Sequence, residues 1–354
     1  MMKIGQRVVG RSERPYLIAE MSGNHNGSLD RALAIVDAAA DAGADAIKLQ
    51  TYTADTMTLN LSTPDFVISD PDSLWSGRQL YELYQEAHTP WDWHPALFER
   101  AKQKGIHCFS SPFDATAVDF LEKLDPPVYK IASFENVDLP LIRKVAATGK
   151  PMIISTGLAS ISEIGEALDT ARSAGAKDIV LLKCTSAYPA TADNSNLATI
   201  PNLIETFGVE AGLSDHTMGV GVAIASVVLG ACVIEKHFTL ARADGGVDSA
   251  FSLEPHELRL LREEMDQAWA AVGKIQYRAS NSEQGSLVFR RSVYVAKDVK
   301  AGEVLTPDNL RVVRPGFGLA PKFYDSLLGR VVGRDLPAGT PADWSIFASE
   351  QGPT

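Results

Sequence analysis

Cysteine is scarce: there are three, Cys108, Cys184 and Cys232, in 354 residues. They are too few and too far apart for a disulfide framework or a thiolate zinc site. Two of them lie within strand-like runs, where the default is a small buried hydrophobe. Positive charge is short as well. Lys and Arg total 33 against 44 Asp and Glu, a formal net charge of −11, so the chain has no electrostatic footprint for nucleic acid or an anionic membrane. An anionic substrate must be drawn in by a local basic cluster. Long apolar runs are missing too. The longest, around residues 220–234, is short for a membrane span and closes on Glu235-Lys236-His237, and the N-terminal MMKIGQRVVGRSERPY lacks a signal peptide's apolar stretch. These absences lead to an expected cytoplasmic protein with neither nucleic acid nor membrane as partner. What is present, 45% hydrophobic and 22% charged at a mean hydropathy of −0.03, is ordinary globular composition, with length for one large domain and a small one.

From Pro15 to about Gly273 a single pattern repeats: a short apolar run ending in polar residues, then a longer segment with helical spacing. The strand-like runs are Tyr16–Met21, Ala46–Gln50, His107–Ser110, Val128–Ala132, Met152–Ser155, Ile179–Cys184, Val209–Leu213 and Val233–His237. Leu29–Ala42, Ile161–Ala174 and His256–Val272 carry apolar residues three and four apart. Several helical segments close on a glycine just before the next strand, as at Gly43, Gly105, Gly149 and Gly175. Eight such units in about 260 residues predict a (β/α)8 TIM barrel, with its chemistry at the C-terminal strand ends. A doubly wound open sheet is the alternative.

The strand ends carry the candidate chemistry. His216 and His237 end the runs VEAGLSDH and VIEKHF on either side of a helix-like segment at 220–230. A strand–helix–strand unit brings both ends to one sheet edge, where two neutral imidazoles can bind a divalent transition metal and leave most of its coordination open. Singly, either histidine reads as a hydrogen-bonded residue. Lys48 and Lys130, with the hydroxyls of Ser111, Ser133, Ser155 and Ser214, form a ring of donors suited to a phosphate or carboxylate. The plainer alternative is that the lysines pair with Glu20 or Glu135.

Two insertions break the rhythm. The segment 52–93, with Trp75, Trp91, Trp93, Tyr81 and Tyr84, is too long for an ordinary connection and predicts a lid or wall over the mouth. After the eighth strand, ADGGVDSAF could fold close to a ligand and present Asp248 to hydroxyls. Beyond a barrel of residues 1–273, residues 274–286 read as a polar linker and 287–350 as a small β-rich domain. Its short runs are Ser292–Val295, Leu310–Val313 and Val331–Val332.

The motifs IAEMSGNHNGS, IKLQT, FSSPFD, YKIAS, IISTG, KCTSAYP, GLSDHT and EKHFTL, in this order, resemble the sialic acid synthase family, which condenses phosphoenolpyruvate with N-acylated amino sugars. The tail KDVKAGEVLTPDNLRVVRPGFG is similar to that family's antifreeze-like (SAF) C-terminal domain. Within the family, the insertion LWSGRQLYELYQEAHTPWDWH looks most like the branch that makes pseudaminic acid. This implies 2,4-diacetamido-2,4,6-trideoxy-altrose as the sugar, the N-acetylneuraminate and legionaminic branches being the alternatives.

The resemblance also implies roles. His216 and His237 match the metal ligands, manganese being the usual ion and magnesium or cobalt the alternatives. Lys48, Ser111, Lys130, Ser133, Ser155, Ser186 and Ser214 match phosphoenolpyruvate contacts, with Ser111 in place of a threonine and Ser186 of an asparagine. Glu20, Gln50, Glu135, Tyr188 and Asp248 match residues around the reacting centre and the sugar; Glu135 is the candidate acid/base, with Glu20 a second carboxylate. Arg314 matches an arginine inserted into the other subunit's site, which implies a domain-swapped homodimer. Two readings of other classes remain: an aldolase using Lys48 or Lys130 as Schiff-base nucleophile, and a carbohydrate-binding protein without catalysis.

Overall fold

A computed structural model describes residues 2–71 and 73–347. They form two compact units, Met1–Gly273 and Lys274–Thr354, and residues 348–350 of the expected 287–350 domain lie outside the described residues. In the first unit a hairpin of β1 (Met2–Ile4) and β2 (Arg7–Val9) precedes eight parallel strands: β3 (Tyr16–Glu20), β4 (Ala46–Thr51), β5 (His107–Pro112), β6 (Tyr129–Ile131), β7 (Met152–Ser155), β8 (Ile179–Cys184), β9 (Glu210–Asp215) and β10 (Val233–His237). The barrel closes because β10 pairs with both β9 and β3. The (β/α)8 architecture is therefore the observed one, and the open sheet is not.

The helices between the strands are α1 (Leu29–Asp41), α2 (Ala54–Met57), α3 (Leu80–Ala87), α4 (His94–Lys104), α5 (Ala115–Leu121), α6 (Leu139–Ala146), α7 (Ile161–Ser173), α8 (Thr199–Phe207), α9 (Gly221–Val228) and α10 (Pro255–Val272). Their boundaries follow local chemistry. Ser28 caps α1 by accepting from Arg31 N, and Ser160 with Glu163 makes a capping box at α7. Gly105 ends α4 at φ +76°, a left-handed conformation that costs glycine little. The helices bury one apolar face against the outside of the barrel, as α1 does with Ala32, Ile35, Val36 and Ala39.

Strand alternation divides the barrel interior into two halves. Ile18, Ala46, Phe109, Val128, Ile153, Val180 and Val233 pack with Met2, Ile4 and Val9 of the hairpin, which plugs the N-terminal end with apolar side chains. Farther along the same strand faces come Glu20, Lys48, Ser111, Lys130, Ser155, Ser214 and Glu235, all buried. The chemistry therefore sits at the C-terminal mouth above a solid apolar floor. Gly212 on β9 has no room for a side chain, since an added Cβ would collide with Val233 O and lie 2.8 Å from Leu182.

In the second unit β11 (Ser292–Val295) pairs antiparallel with β12 (Leu310–Val313) around a core that includes Val293, Val295, Leu305, Leu310, Leu327, Leu336 and Ile346, and α11 (Tyr324–Leu327) follows. The expected strand at Val331–Val332 forms only single bridges, to Val304 and Phe347. The expected linker is also more ordered than its composition suggested. Residues Asn281–Phe289 form 3-10 turns opened by a Ser280–Glu283 capping box. Among the described residues no helix is long and apolar enough to cross a membrane.

Candidate active site

Register places the first cluster. Glu20 lies opposite Lys48 and also opposite His237, while Glu235 lies opposite Ser214. The Lys48 ammonium is 2.8 Å from Glu20 and 3.6 Å from Glu235, and it donates to Ser111 Oγ at 3.3 Å. Burial pulls the Lys48 pKa down, but the two carboxylates outweigh it and leave the pKa raised. Burial pushes Glu20 up against the pull of Lys48. It pushes Glu235 up as well, but Lys130 and Lys48 outweigh it and hold that carboxyl low. Gln50 extends the chain outward, donating to Glu20 at 2.9 Å and to Ser22 Oγ at 3.1 Å, and the Ser22 hydroxyl bonds Asp248.

Lys130 is held differently. It donates to Ser155 Oγ at 2.6 Å and to Ile131 O at 3.1 Å, and burial lowers its pKa. Of the two pairings weighed from sequence, Lys48 with Glu20 exists, whereas no carboxylate among the described residues forms an ion pair with Lys130. Nearby, Ser133 Oγ is buried without a hydrogen-bond partner. Gly157 leaves the space that Ser133 and Ser186 face: a Cβ there would collide with the Ser186 hydroxyl and come within 2.6 Å of that of Ser133. Ser214 is already engaged, donating to Glu235 at 3.2 Å.

The two histidines converge across β9 and β10, with ring centroids 5.2 Å apart. His216 Nδ1 lies 2.9 Å from Thr185 O. A carbonyl can only accept, so Nδ1 carries a proton; burial pulls the His216 pKa down, but Cys184 and Thr185 O outweigh it and leave it raised. Burial drives the His237 pKa well down, which keeps that imidazole neutral, and its buried Nδ1 lacks a hydrogen bond, with Asp248 3.8 Å away. Two converging imidazoles are a donor set that suits a divalent transition metal once both are neutral. Among the described residues no group of three or more His, Cys, Asp or Glu is arranged around an ion, so the protein's part in such a site would be this pair.

Above this floor opens a cavity of 400 Å³ lined by Ser22, Gln50, Ser133, Glu135, Ser186, Tyr188, His237 and Asp248 and walled by the insertion residues Met57, Ile68, Trp75, Leu80, Leu83 and Tyr84. The segment expected to be a lid or wall thus forms a wall, of which the helical part is α3. The Tyr188 ring lies tilted at 46° to that of His216, centroids 4.4 Å apart, and Trp75 reaches across to donate to Val247 O at 3.0 Å. Glu135 has one buried oxygen without a partner, and burial pushes its pKa up to about 7. Arg314 belongs to the second unit, exposed after β12; the site above is built from the first unit.

Three residues absent from the expected set belong here by position. Glu235 contacts Lys48 and Ser214, and its place two residues before His237 on a strand signals the same inward face. Ser22 joins Gln50 to Asp248 from a left-handed turn at φ +47°, which nothing local in the sequence announces. Gly157 matters for the side chain it lacks.

Residues 35–277 match the NeuB family and residues 290–348 the SAF domain. The chain belongs to the NeuB family. It is 44% identical over 98% of its length to the whole of the pseudaminic acid synthase of Campylobacter jejuni subsp. jejuni serotype O:23/36. It is also 44% identical to the Helicobacter pylori enzyme of that name, over 92% of this chain and 96% of that one. Among solved structures, the N-acetylneuraminic acid synthetase of Leptospira borgpetersenii, in complex with citrate, superposes with a TM-score of 0.72 at 30% identity, covering 81% of this chain and 94% of that one. Residues 290–348 are thus a SAF domain that follows a NeuB barrel in the chain, which sets aside the expectation's alternatives of an unrelated aldolase and of a binding protein without catalysis.

Proposed function

We propose that this chain condenses phosphoenolpyruvate with 2,4-diacetamido-2,4,6-trideoxy-altrose to give pseudaminic acid and phosphate. The observation that carries the proposal is the convergence of Lys48, Lys130 and the His216–His237 pair at one cavity, in a chain that aligns end to end with a pseudaminic acid synthase. Lys130, with the hydroxyls of Ser155, Ser133 and Ser186 around Gly157, suits the phosphate; Lys48 and Ser111 suit the carboxylate. These contacts position the methylene carbon against the aldehyde carbon of the open-chain sugar.

The methylene carbon attacks the aldehyde carbon, water adds to the electron-poor C2, and collapse of that carbon breaks its bond to the bridging oxygen and releases phosphate. Positive character at C2 is met by Glu20 and Glu235. Glu135, pushed up to about 7 by burial, can hand its proton to the aldehyde oxygen as it becomes a hydroxyl and can recover one from the attacking water. A divalent metal held by His216 and His237, manganese by the resemblance, would supply Lewis acidity toward the aldehyde oxygen. A Schiff-base route through Lys48 is disfavoured because its flanking carboxylates keep it protonated.

The assembly proposed is a homodimer in which the partner's Arg314 reaches this mouth. The segments after β6, β7 and β9 expose Phe134, Leu158, Met218 and, at the start of α7, Ile161, more than half open each, an apolar rim that a second copy would cover. A cytoplasmic location suits an enzyme that consumes phosphoenolpyruvate. The test is phosphate release from phosphoenolpyruvate with manganese, offering the altrose sugar, its mannose-configured isomer and N-acetylmannosamine, with and without chelator. Chelator-sensitive release with the altrose sugar alone is expected. Release with another sugar instead moves the branch, and none with any overturns the proposal.

A further inference from the structure

The cavity has two unlike sides. Its floor is polar. Its insertion side is mostly carbon: Met57, Ile68, Trp75, Leu80 and Leu83 line it, and the polar groups that this segment adds are Ser73 and the hydroxyls of Tyr52 and Tyr84. Among the described residues no Lys or Arg lines the cavity, whose charged members are the carboxylates Glu135 and Asp248 beside the imidazole of His237. An anionic group on a sugar would therefore meet two carboxylates and no lysine or arginine.

The wall is fixed in place. Trp75 Nε1 donates at 3.0 Å to Val247 O, on the loop that carries Asp248, and the Trp75 ring lies 5.9 Å from Tyr188. Tyr84 packs edge-on at 5.8 Å against Tyr52, which packs in the same way at 5.2 Å on Phe113, and Leu83 is buried. A surface held at several points cannot fold away to hydrate an added hydroxyl. A sugar whose aldehyde carbon meets the floor turns its far end toward this wall.

We propose that Trp75, Leu80 and Leu83 select the sugar at C6, accepting a methyl group and rejecting a hydroxymethyl or phosphorylated carbon. The proposal rests on the function proposed above and adds the residues that choose among acetamido sugars. A hydroxyl pressed on carbon loses its water without gaining a partner. Apolar pockets reject an added hydroxyl only modestly, by about 100-fold at most. A phosphate is rejected more strongly because the wall segment of this chain offers its charge no counter-cation.

The experiment compares kcat/KM by phosphate release for three sugars that differ only at C6: 2,4-diacetamido-2,4,6-trideoxy-altrose, its 6-hydroxy counterpart and the 6-phosphate of that counterpart. The wild-type chain is expected to prefer the first over the second by about 10- to 100-fold and to leave the third unused. Leu80→Asn, on the half-exposed part of the wall, should cut the preference for the deoxy sugar to about a tenth of its wild-type value without changing KM for phosphoenolpyruvate. Leu83→Met should keep it. A wild-type enzyme active on the deoxy sugar whose preference is unaltered in Leu80→Asn, or which loses both neutral sugars equally, overturns the wall's role while the proposed function stands. No turnover of any of the three overturns both.

Discussion

Lys48 Nζ lies 2.8 Å from Glu20 Oε2 at the mouth of the barrel, both side chains almost wholly buried. Their pairing, with Glu235 as third member, makes the charge of one group conditional on the others. Lys48→Met leaves Glu20 without its ion-pair partner, beside a Glu235 that keeps only the more distant pull of Lys130. Breaking a buried pair in this way costs about 3–5 kcal/mol, to be read as a lower denaturant midpoint at neutral pH. Adding Glu20→Gln to Lys48→Met should recover part of the loss. An unchanged midpoint in the single variant would show that the pair contributes nothing net.

Glu135 sets a pH signature. Its carboxyl is pushed up to about 7 by burial, so kcat/KM should show an ionisation near that value, absent in Glu135→Gln, with the acid-dependent limb falling as pH rises through it. The same shift has a stability consequence of definite sign. Between the ordinary 4.5 and about 7 the native state holds a proton that the unfolded chain has lost. The contribution of this group to stability is therefore present at low pH and is lost as pH rises. Wild type and Glu135→Gln should thus diverge across that window in thermal midpoint, with the glutamine variant losing less.

His216→Ala or His237→Ala should abolish chelator-sensitive turnover while leaving far-UV circular dichroism and the unfolding transition in place, because the ring pair lies at the mouth above the apolar floor. Full activity in either variant would remove the histidines from the chemistry.

Behind the two histidines a second buried pair fixes their strands. Lys236 donates to Asp215 at 3.0 Å and also to Thr217 O, and Asp215 accepts from Thr217 N at 2.9 Å. Lys236→Met should weaken manganese activation by about 10-fold, within the range known for groups that orient metal ligands, measured as the manganese concentration for half-maximal rate. An unchanged value would make the pair purely structural.

The eight strands were legible because parallel barrel strands are buried on both faces and read as short apolar runs with polar ends. Pairing across the barrel was not. Glu20 and Lys48 stand opposite on neighbouring strands, but Glu235 is far from both in the chain, and only closure of β10 on β3 brings it to them. The hairpin of β1 and β2 went unseen because three-residue strands around a glycine carry too little pattern. The missing side chain of Gly157 becomes informative only once Ser133 and Ser186 stand beside it.

Closure of β10 on β3 also protects against misassembly. Side chains alternate, so a slip of one residue would turn Glu235 and His237 out of the barrel and swing Lys236 inward beside Lys48. Two ammonium groups would then share a buried site with a single carboxylate, and Asp215 would be stranded outside. The buried charges of the mouth thereby proofread the last strand to dock, rewarding the one alignment that pairs them.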